Sequence, residues 1–193
     1  MVFLQMIRQQ LPHPDHKDLD LYIQMIAGGS RDALEALYHD TSTAIYAYAL
    51  SVLKNPHDAE DILHECYLRI HTAAAEYHAD NKAMAWIMTI ARNLCLMRLR
   101  ERNKTVELNE EDWNHHLQAY SEMDQDDRIV LMQCMSRLTE EDRQIVTLHA
   151  VAGFKHREIA QFLEMPLATV LSKYHRSLKK LRSYFKGENC HEK

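Results

Sequence analysis

Glycine, proline and long apolar runs are scarce in this sequence, and their scarcity restricts the class of protein. The 193 residues include 4 Gly and 4 Pro against 46% hydrophobic residues, a composition typical of globular, mostly helical proteins. No stretch reaches the roughly 18 apolar residues that a membrane-spanning helix needs, so we expect no membrane partner. The apolar run at residues 1–11 contains Arg8, and no cleavage site follows it, so we expect no signal peptide.

The spacings that mark metal and catalytic sites are also missing. The 13 histidines lack the zinc pattern C-x₂₋₄-C…H-x₃₋₅-H, and no Walker A, G-x-G-x-x-G or G-x-S-x-G motif is present. We therefore expect no metal, no cofactor and no enzymatic activity. The cysteines form no C-x-x-C pair, which is typical of reduced thiols in a cytoplasmic protein. They are Cys66, Cys95, Cys134 and Cys190.

The net charge of −5 conceals two basic segments separated by an acidic one. Residues 155–186 contain eight Lys or Arg and two acids, and residues 82–104 contain six basic residues and one acid. Between them, residues 105–127 contain eight acids and no Lys or Arg. The basic segments indicate nucleic-acid binding, and the acidic segment is typical of a linker.

The apolar spacing predicts an all-α fold of two small helical domains joined by that acidic linker. Along the chain we expect a tail at 1–17, a helical domain at 18–104, the linker at 105–127, a second helical domain at 128–186 and a tail at 187–193.

Four helices are expected in the first domain, and Ser30 is placed to cap the second of them. The third helix should contribute five apolar residues to the core, namely Ile62, Leu63, Cys66, Leu68 and Ile70. Leu19, Ile23 and Ile26 should join the core from the first helix. The expected bounds are about 18–27, 31–54, 56–77 and 82–102.

The second domain ends in the pattern of a helix-turn-helix. After a helix that Thr139 caps, residues 157–162 predict a short supporting helix, Pro166 a tight turn and residues 167–185 a longer basic helix. The outward face of the last helix could contact DNA bases and phosphates. A solvated basic face on an ordinary helical hairpin is the alternative. The outward residues are Ser172, Lys173, His175, Arg176 and Lys179.

Three carboxylates share one stripe of the third helix. Asp58, Asp61 and Glu65 lie at positions i, i+3 and i+7. They could complement the helix dipole, form a solvated face, act as a catalytic acid pair or bind a basic partner. The composition alone leaves these readings open.

The fourth helix combines aromatic and basic residues. Tyr77 and Trp86 flank a polar loop, and Arg92 and Asn93 follow, which suits stacking on single-stranded DNA and contact with its phosphates. For Trp86 itself, packing in the core is the favoured interpretation. Arg98 and the basic residues after it are better placed as phosphate contacts.

Together these motifs resemble the sigma-70 family of RNA polymerase sigma factors, and in particular its two-domain extracytoplasmic-function (ECF) group. The resemblance covers about residues 19–185. It implies a sigma factor that binds core RNA polymerase, recognises the −35 and −10 promoter elements and helps to open the −10 DNA. The stretches that carry it are ALEALYHDTSTAIYAYAL, NPHDAEDILHECYLRI, AWIMTIARNLCLMRLR and LTEEDRQIVTLHAVAGFKHREIAQFLEMPLATVLSKYHRSLKKL.

The resemblance assigns the first domain to sigma region 2. Its acidic stripe is similar to the surface that docks on the clamp helices of the largest polymerase subunit, and the segment from His78 to Met84 is similar to the loop that selects −10 bases. The implied polymerase contacts are Asp58, Asp61, Ile62 and Glu65. The implied −10 DNA contacts are His78, Asp80, Asn81, Lys82, Arg92, Asn93 and Arg98.

The second domain resembles sigma region 4, which reads the −35 element and reaches the flap region of the polymerase. The acidic linker resembles the connector that threads toward the RNA exit path. The resemblance also implies an anti-sigma factor as a candidate partner. The implied −35 contacts are Lys155, Thr169, Leu171, Ser172, Lys173, His175, Arg176 and Lys179.

The sequence departs from the family pattern around the −35 reader. Glu164 stands where the family usually has Gly, Lys155 where a capping Ser is common, and Leu171 where Lys or Arg is common. The −35 preference of the family therefore does not transfer to this chain.

Two other functions compete with the sigma-factor hypothesis. One is a stand-alone helix-turn-helix regulator with an N-terminal effector or dimerisation domain, and the other is an enzyme built on the carboxylates. The acidic stripe and the basic fourth helix favour the sigma factor, because a sensor domain needs neither.

Overall fold

The computed structural model describes residues 16–80, 82–104 and 135–185, and within these ranges the fold is all-α, as predicted. A single 3₁₀ turn, Ala74–Glu76, follows the third helix. The predicted linker, the start of the second domain and most of both tails lie outside the described residues. The helices are α1 His16–Ala27, α2 Arg31–Leu53, α3 Pro56–Ala73, α4 Ala83–Lys104, α5 Glu140–Ala150, α6 His156–Phe162 and α7 Leu167–Phe185.

Three helices begin at side chains that cap them. The Ser30 hydroxyl accepts the N–H of Ala33 at 3.2 Å, and Thr139 caps α5 by accepting the N–H of Asp142 at 3.3 Å. Both caps confirm the sequence prediction, since a cap satisfies a backbone donor that has no partner within the helix. Asn55 caps α3 in the same way, with Pro56 in the first turn.

The N-terminal half, α1–α4, surrounds an apolar core. Helix α2 packs on α1, α3 and α4, and α3 packs on α4. The predicted inward face of α1 is confirmed, because Leu19, Ile23 and Ile26 are all buried. Tyr67 of α3 places its hydroxyl within 2.6 Å of the Thr41 hydroxyl on α2, so a buried polar pair joins these helices.

The C-terminal half, α5–α7, is the predicted helix-turn-helix preceded by one more helix. Helix α7 packs on α5 and α6 and buries Val170 and Leu181. Ser177 is also buried, which the apolar spacing did not indicate; its hydroxyl donates to the Lys173 carbonyl at 2.8 Å, so no polar atom is stranded.

The two halves share one apolar core. Helix α5 packs directly on α2, and the ring of Phe162 meets Tyr48 edge-on with centroids 5.7 Å apart. Arg143 of α5 is 2% exposed, and its Nε–H donates to the Ser51 carbonyl of α2 at 3.1 Å. Burial lowers the pKa of Arg143 from its ordinary value, and the carbonyls of Ser51 and Met135 compensate the buried guanidinium.

Two predictions about α3 were wrong. The helix ends at Ala73 and not at Tyr77, because Ala74–Glu76 tighten into a 3₁₀ turn and Tyr77 is extended. Leu68 does not join the core but is 64% exposed. It lies one helical turn beyond Glu65, so the helical period carries it along the outward acidic stripe.

Glu164 adopts a left-handed backbone conformation, with φ 57°, in the turn between α6 and α7. This is the position where the sequence departs from the glycine of the resembled family. A Cβ makes this conformation unfavourable by roughly 1–2 kcal/mol, whereas glycine adopts it freely. The turn therefore stores a local strain that glycine would relieve.

We predict that Glu164→Gly raises the free energy of unfolding by about 1 kcal/mol, measured by urea denaturation. Glu164→Gln is the matched control, since it removes the charge and keeps the Cβ, and it should leave stability within about 0.5 kcal/mol of wild type. An equal gain in both variants would show that charge, and not backbone strain, governs this turn.

Candidate nucleic-acid and protein interfaces

The outward face of α7 is mostly polar and largely open to solvent. Ser172, His175, Arg176 and Lys179 are exposed, as the helical spacing predicted, and Thr169 is half-buried. In a helix-turn-helix the start of the second helix meets base edges, while later basic side chains meet phosphates. The geometry of α6, turn and α7 suits this way of docking.

Lys173 contacts α5, whereas the other predicted outward residues of α7 are exposed to solvent. Its ammonium lies 2.7 Å from the Glu141 carboxylate and 3.7 Å from that of Asp142, so it ties α7 to α5. The hydrogen bond to Glu141 holds the pKa of Lys173 above its ordinary value. A DNA phosphate would have to compete with these two acids, so Lys173 is better described as a brace within the C-terminal half.

Lys155 precedes α6 and is exposed. Its backbone N–H donates to the Glu158 carboxylate at 2.7 Å, which is one half of a capping box. The lysine side chain has no acceptor to supply the other half. Its ammonium remains at the surface beside the helix-turn-helix, where it can approach DNA.

The predicted acidic stripe on α3 is divided between an internal network and an exposed surface. Asp58 is 17% exposed and meets two arginines of α4, with Arg98 Nη1 at 3.0 Å and Arg102 Nη1 at 3.4 Å. Asp61 is mostly exposed and receives the other arm of Arg98 at 3.2 Å. Asp58 therefore joins α3 to α4, and Asp61 offers the more accessible carboxylate.

Arg98 was predicted as a DNA contact, and the structure places it with the acids of α3. Ile62, predicted as a polymerase contact, is 3% exposed and packs beneath the stripe. Glu65 is partly exposed and pairs with Arg69 at 2.9 Å, one turn along the same helix.

A shallow groove of about 370 Å³ lies between α3 and α4 along this surface. Two exposed apolar side chains, Leu68 of α3 and Met97 of α4, line it among charged residues. Sequence reasoning missed both of them as site residues, although Leu68 continues the helical period of Asp61 and Glu65. An apolar strip bordered by acids suits a partner that presents apolar and basic side chains.

A second cavity, of about 350 Å³, opens where the loop after the 3₁₀ turn meets the start of α4. Its wall includes the rings of Tyr77 and Trp86, which are tilted by 50° with centroids 4.9 Å apart, and the predicted loop residues His78, Asp80 and Lys82. Lys82 pairs with Asp80 at 3.0 Å. Trp86 thus lines a surface cavity instead of lying wholly in the core. Aromatic walls beside a lysine suit an unpaired base with its phosphate.

The other residues of the predicted −10 site differ in their exposure to solvent. Asn93 is exposed, two turns beyond Trp86 on α4, whereas Ala83 and Met84, the end of the predicted base-selecting loop, are buried. Asn81 lies outside the described residues.

Arg92 faces the C-terminal half. Its guanidinium lies 3.5 Å from the carboxylate of Glu164 and 5.8 Å from the ring centroid of Phe162. The turn of the helix-turn-helix therefore occupies one of the predicted −10 contacts in this arrangement.

Within the described ranges, no group of three or more His, Cys, Asp or Glu side chains is placed to hold a metal ion. No helix there has the length and apolar content that crossing a membrane requires. Cys66 and Cys95 are buried free thiols, and burial raises the pKa of each to about 12.

Comparisons with known proteins match both halves of the chain. The family model described as Sigma-70 region 2 matches residues 37–105, and the one described as Sigma-70, region 4 matches residues 128–181. The chain is 28% identical over 173 residues to the ECF RNA polymerase sigma factor SigK of Mycobacterium ulcerans, covering 86% of this chain and 92% of the relative. The SigK of Mycobacterium tuberculosis is 26% identical over the same coverage.

Two solved structures have a similar fold. One is CnrH in complex with the cytosolic domain of CnrY, with a TM-score of 0.62 and 17% identity, covering 89% of this chain and 99% of that one. The other is the sigma factor RpoE in complex with the anti-sigma factor NepR from Bartonella quintana, with a TM-score of 0.64 and 20% identity. That match covers 79% of this chain and 96% of the solved one.

Proposed function

Since the chain belongs to the sigma-70 family, in its extracytoplasmic-function group, it is a sigma factor, and we propose how its surfaces select and open a promoter. It binds core RNA polymerase and directs initiation at promoters with −35 and −10 elements. The observation that supports our assignment of surfaces is the position of the two family matches. Each covers a half of the molecule that presents its own exposed polar surface.

The outward face of α7 reads the −35 element. Ser172 and His175 lie in its first turns, where a recognition helix meets base edges, and Arg176 and Lys179 follow, where phosphates are reached. Lys155 adds a phosphate contact from the start of α6. Lys173 has a supporting role, because its ammonium is already paired with the acids of α5.

The cavity beside Trp86 holds an unpaired base of the −10 element. A duplex opens when the free energy lost by unstacking is offset by new contacts to the separated strand. Trp86 and Tyr77 supply stacking surface, His78 and Asp80 supply polar edges, and Lys82 supplies a phosphate contact. Asn93 extends this surface along α4.

The groove between α3 and α4 docks on the polymerase. Asp61 and Glu65 provide accessible carboxylates beside the apolar Leu68 and Met97. Arg98 and Asp58 hold the two helices at the spacing that forms the groove. The assignment of Arg98 to DNA therefore gives way to a role in shaping the polymerase surface.

The two halves must separate for both elements to be read at once. Element centres about 25 base pairs apart are about 85 Å apart in B-DNA, at 3.4 Å per base pair. A compact body of this length is about 40 Å across. The contacts of Arg143 with Ser51 and of Arg92 with Glu164 belong to the free protein and break in the promoter complex.

The chain itself catalyses no chemical step in this proposal, because the polymerase supplies catalysis. A cytoplasmic location agrees with the buried reduced thiols Cys66 and Cys95. Because the similar RpoE was solved with an anti-sigma factor, we also propose that this chain has an anti-sigma partner.

We predict that the double charge reversal Asp61→Lys with Glu65→Lys weakens binding to core polymerase at least about tenfold, because it places like charges against a basic partner surface. Promoter-specific transcription in a purified system should fall in parallel, while the affinity of the free chain for duplex DNA should not fall. Glu35→Lys, a single charge reversal of the same kind at an exposed site on α2, is the control and should bind core polymerase like wild type. Unchanged polymerase affinity in the double variant would place the docking surface elsewhere.

We predict that Trp86→Ala slows promoter opening by about 5- to 160-fold, since a base stacked on an aromatic side chain contributes about 1–3 kcal/mol. The fluorescence of 2-aminopurine in the −10 strand measures opening directly. Trp86→Phe keeps an aromatic face and should retain most of the rate. Opening at the wild-type rate in Trp86→Ala would remove this cavity from the −10 site.

A further inference from the structure

The first turns of α7, which would face the DNA bases, have apolar residues among their exposed side chains. The outward residues of the first two and a half turns of α7 are Ala168, Leu171, Ser172 and His175. Leu171 is 37% exposed, and no other large apolar side chain in the described C-terminal half is exposed to that extent. On a surface that contacts DNA, an exposed apolar side chain is best matched by an apolar group of the DNA.

Two polar residues of these first turns, Ser172 and Lys173, have little capacity left to donate to a base. The Ser172 hydroxyl donates to the Ala168 carbonyl at 2.8 Å, so towards DNA it can act as an acceptor. Lys173, the first lysine of the helix, is held by Glu141 and Asp142. Arg176, the first arginine, lies more than two turns into the helix.

The bases present different chemical groups to such a surface in the major groove. Guanine presents two major-groove acceptors that are read by a bidentate Arg or Lys, and adenine presents a donor and an acceptor that are read by Asn or Gln. None of these four side chains is free on the first two turns of α7. Thymine presents a C5-methyl group, which is read by apolar contact.

We propose that Leu171, with Ala168 beside it, determines −35 specificity by contacting a thymine methyl group. The base pair beneath the second turn of α7 is then A·T, with its thymine methyl against the leucine. This inference rests on the proposed reading of the −35 element by α7 and adds the base that the helix selects.

Uracil tests the proposal, because it is thymine without the methyl group. Holoenzyme assembled from the full-length chain and core polymerase is used to select from a duplex library randomised across both element windows. Each thymine of the selected −35 element is then replaced singly by uracil, and holoenzyme affinity is measured. At one position we expect about fourfold weaker binding, the equivalent of burying one methyl group at about 0.8 kcal/mol.

The variants assign that loss to Leu171. In Leu171→Ala the same thymine and uracil promoters should bind within about 1.5-fold of each other, because the apolar contact is gone from both. Ser172→Ala is the matched control and should keep the fourfold ratio, whatever its effect on affinity. Leu171→Arg should move the preference at that position towards guanine.

Several results would overturn the proposal. One is that wild-type holoenzyme binds every uracil-substituted promoter as tightly as the thymine promoter. Another is that wild type selects guanine at the position whose preference changes when Leu171 is replaced. A third is that holoenzyme with Leu171→Ala keeps the fourfold ratio. If Leu171→Ala instead weakens core polymerase binding equally with every promoter, Leu171 belongs to a polymerase contact. Selection of no sequence at all would refute the proposed promoter-reading function itself, which is a different outcome from the loss of thymine preference.

Discussion

The buried guanidinium of Arg143 is the interaction on which the arrangement of the molecule depends. It extends from α5 to α2, where its Nε–H donates to the backbone carbonyl of Ser51. This contact lies inside a core that contains residues of both halves. A charge buried this deeply is tolerated when backbone carbonyls pair with it, and withdrawing them is costly. The contact therefore fixes how α5, and with it the C-terminal half, lies against the N-terminal half.

The packing of the two halves determines which surfaces the free protein exposes. With the halves packed together, Glu164 and Phe162 of the C-terminal half lie against Arg92 of α4. The outward face of α7 remains exposed. In the proposed function, the free protein thus presents the −35 surface openly, while its own turn contacts Arg92, one of the −10 contacts that the resemblance implies. If both surfaces bind the promoter at once, as we propose, the shared core must open. The proposed polymerase groove is lined by residues of α3 and α4 and does not include the contact between α2 and α5.

Much of the fold follows from the sequence, because the helices have regular apolar periods and side-chain caps. Ser30 and Thr139 mark the starts of α2 and α5, and the bounds of α7 agree with the spacing. What periodicity does not show is the pairing between helices. Asp58 and Arg98 are 40 residues apart, and Arg143 and Ser51 are 92 apart, so their contacts depend on tertiary packing. The same limit explains why Trp86, apolar by type and spacing, packs against the core and also lines a surface cavity.

The distance between the two halves distinguishes a closed free chain from an opened promoter complex. Dyes placed on the exposed residues Gln24 of α1 and Arg157 of α6 report this distance by energy transfer, in the free chain and in the open promoter complex with core polymerase. We expect one short distance, below about 40 Å, in the free chain. In the complex we expect a separation several tens of ångströms longer, approaching about 85 Å. A short distance that persists unchanged in a complex that synthesises promoter-specific RNA would refute the proposed separation of the halves.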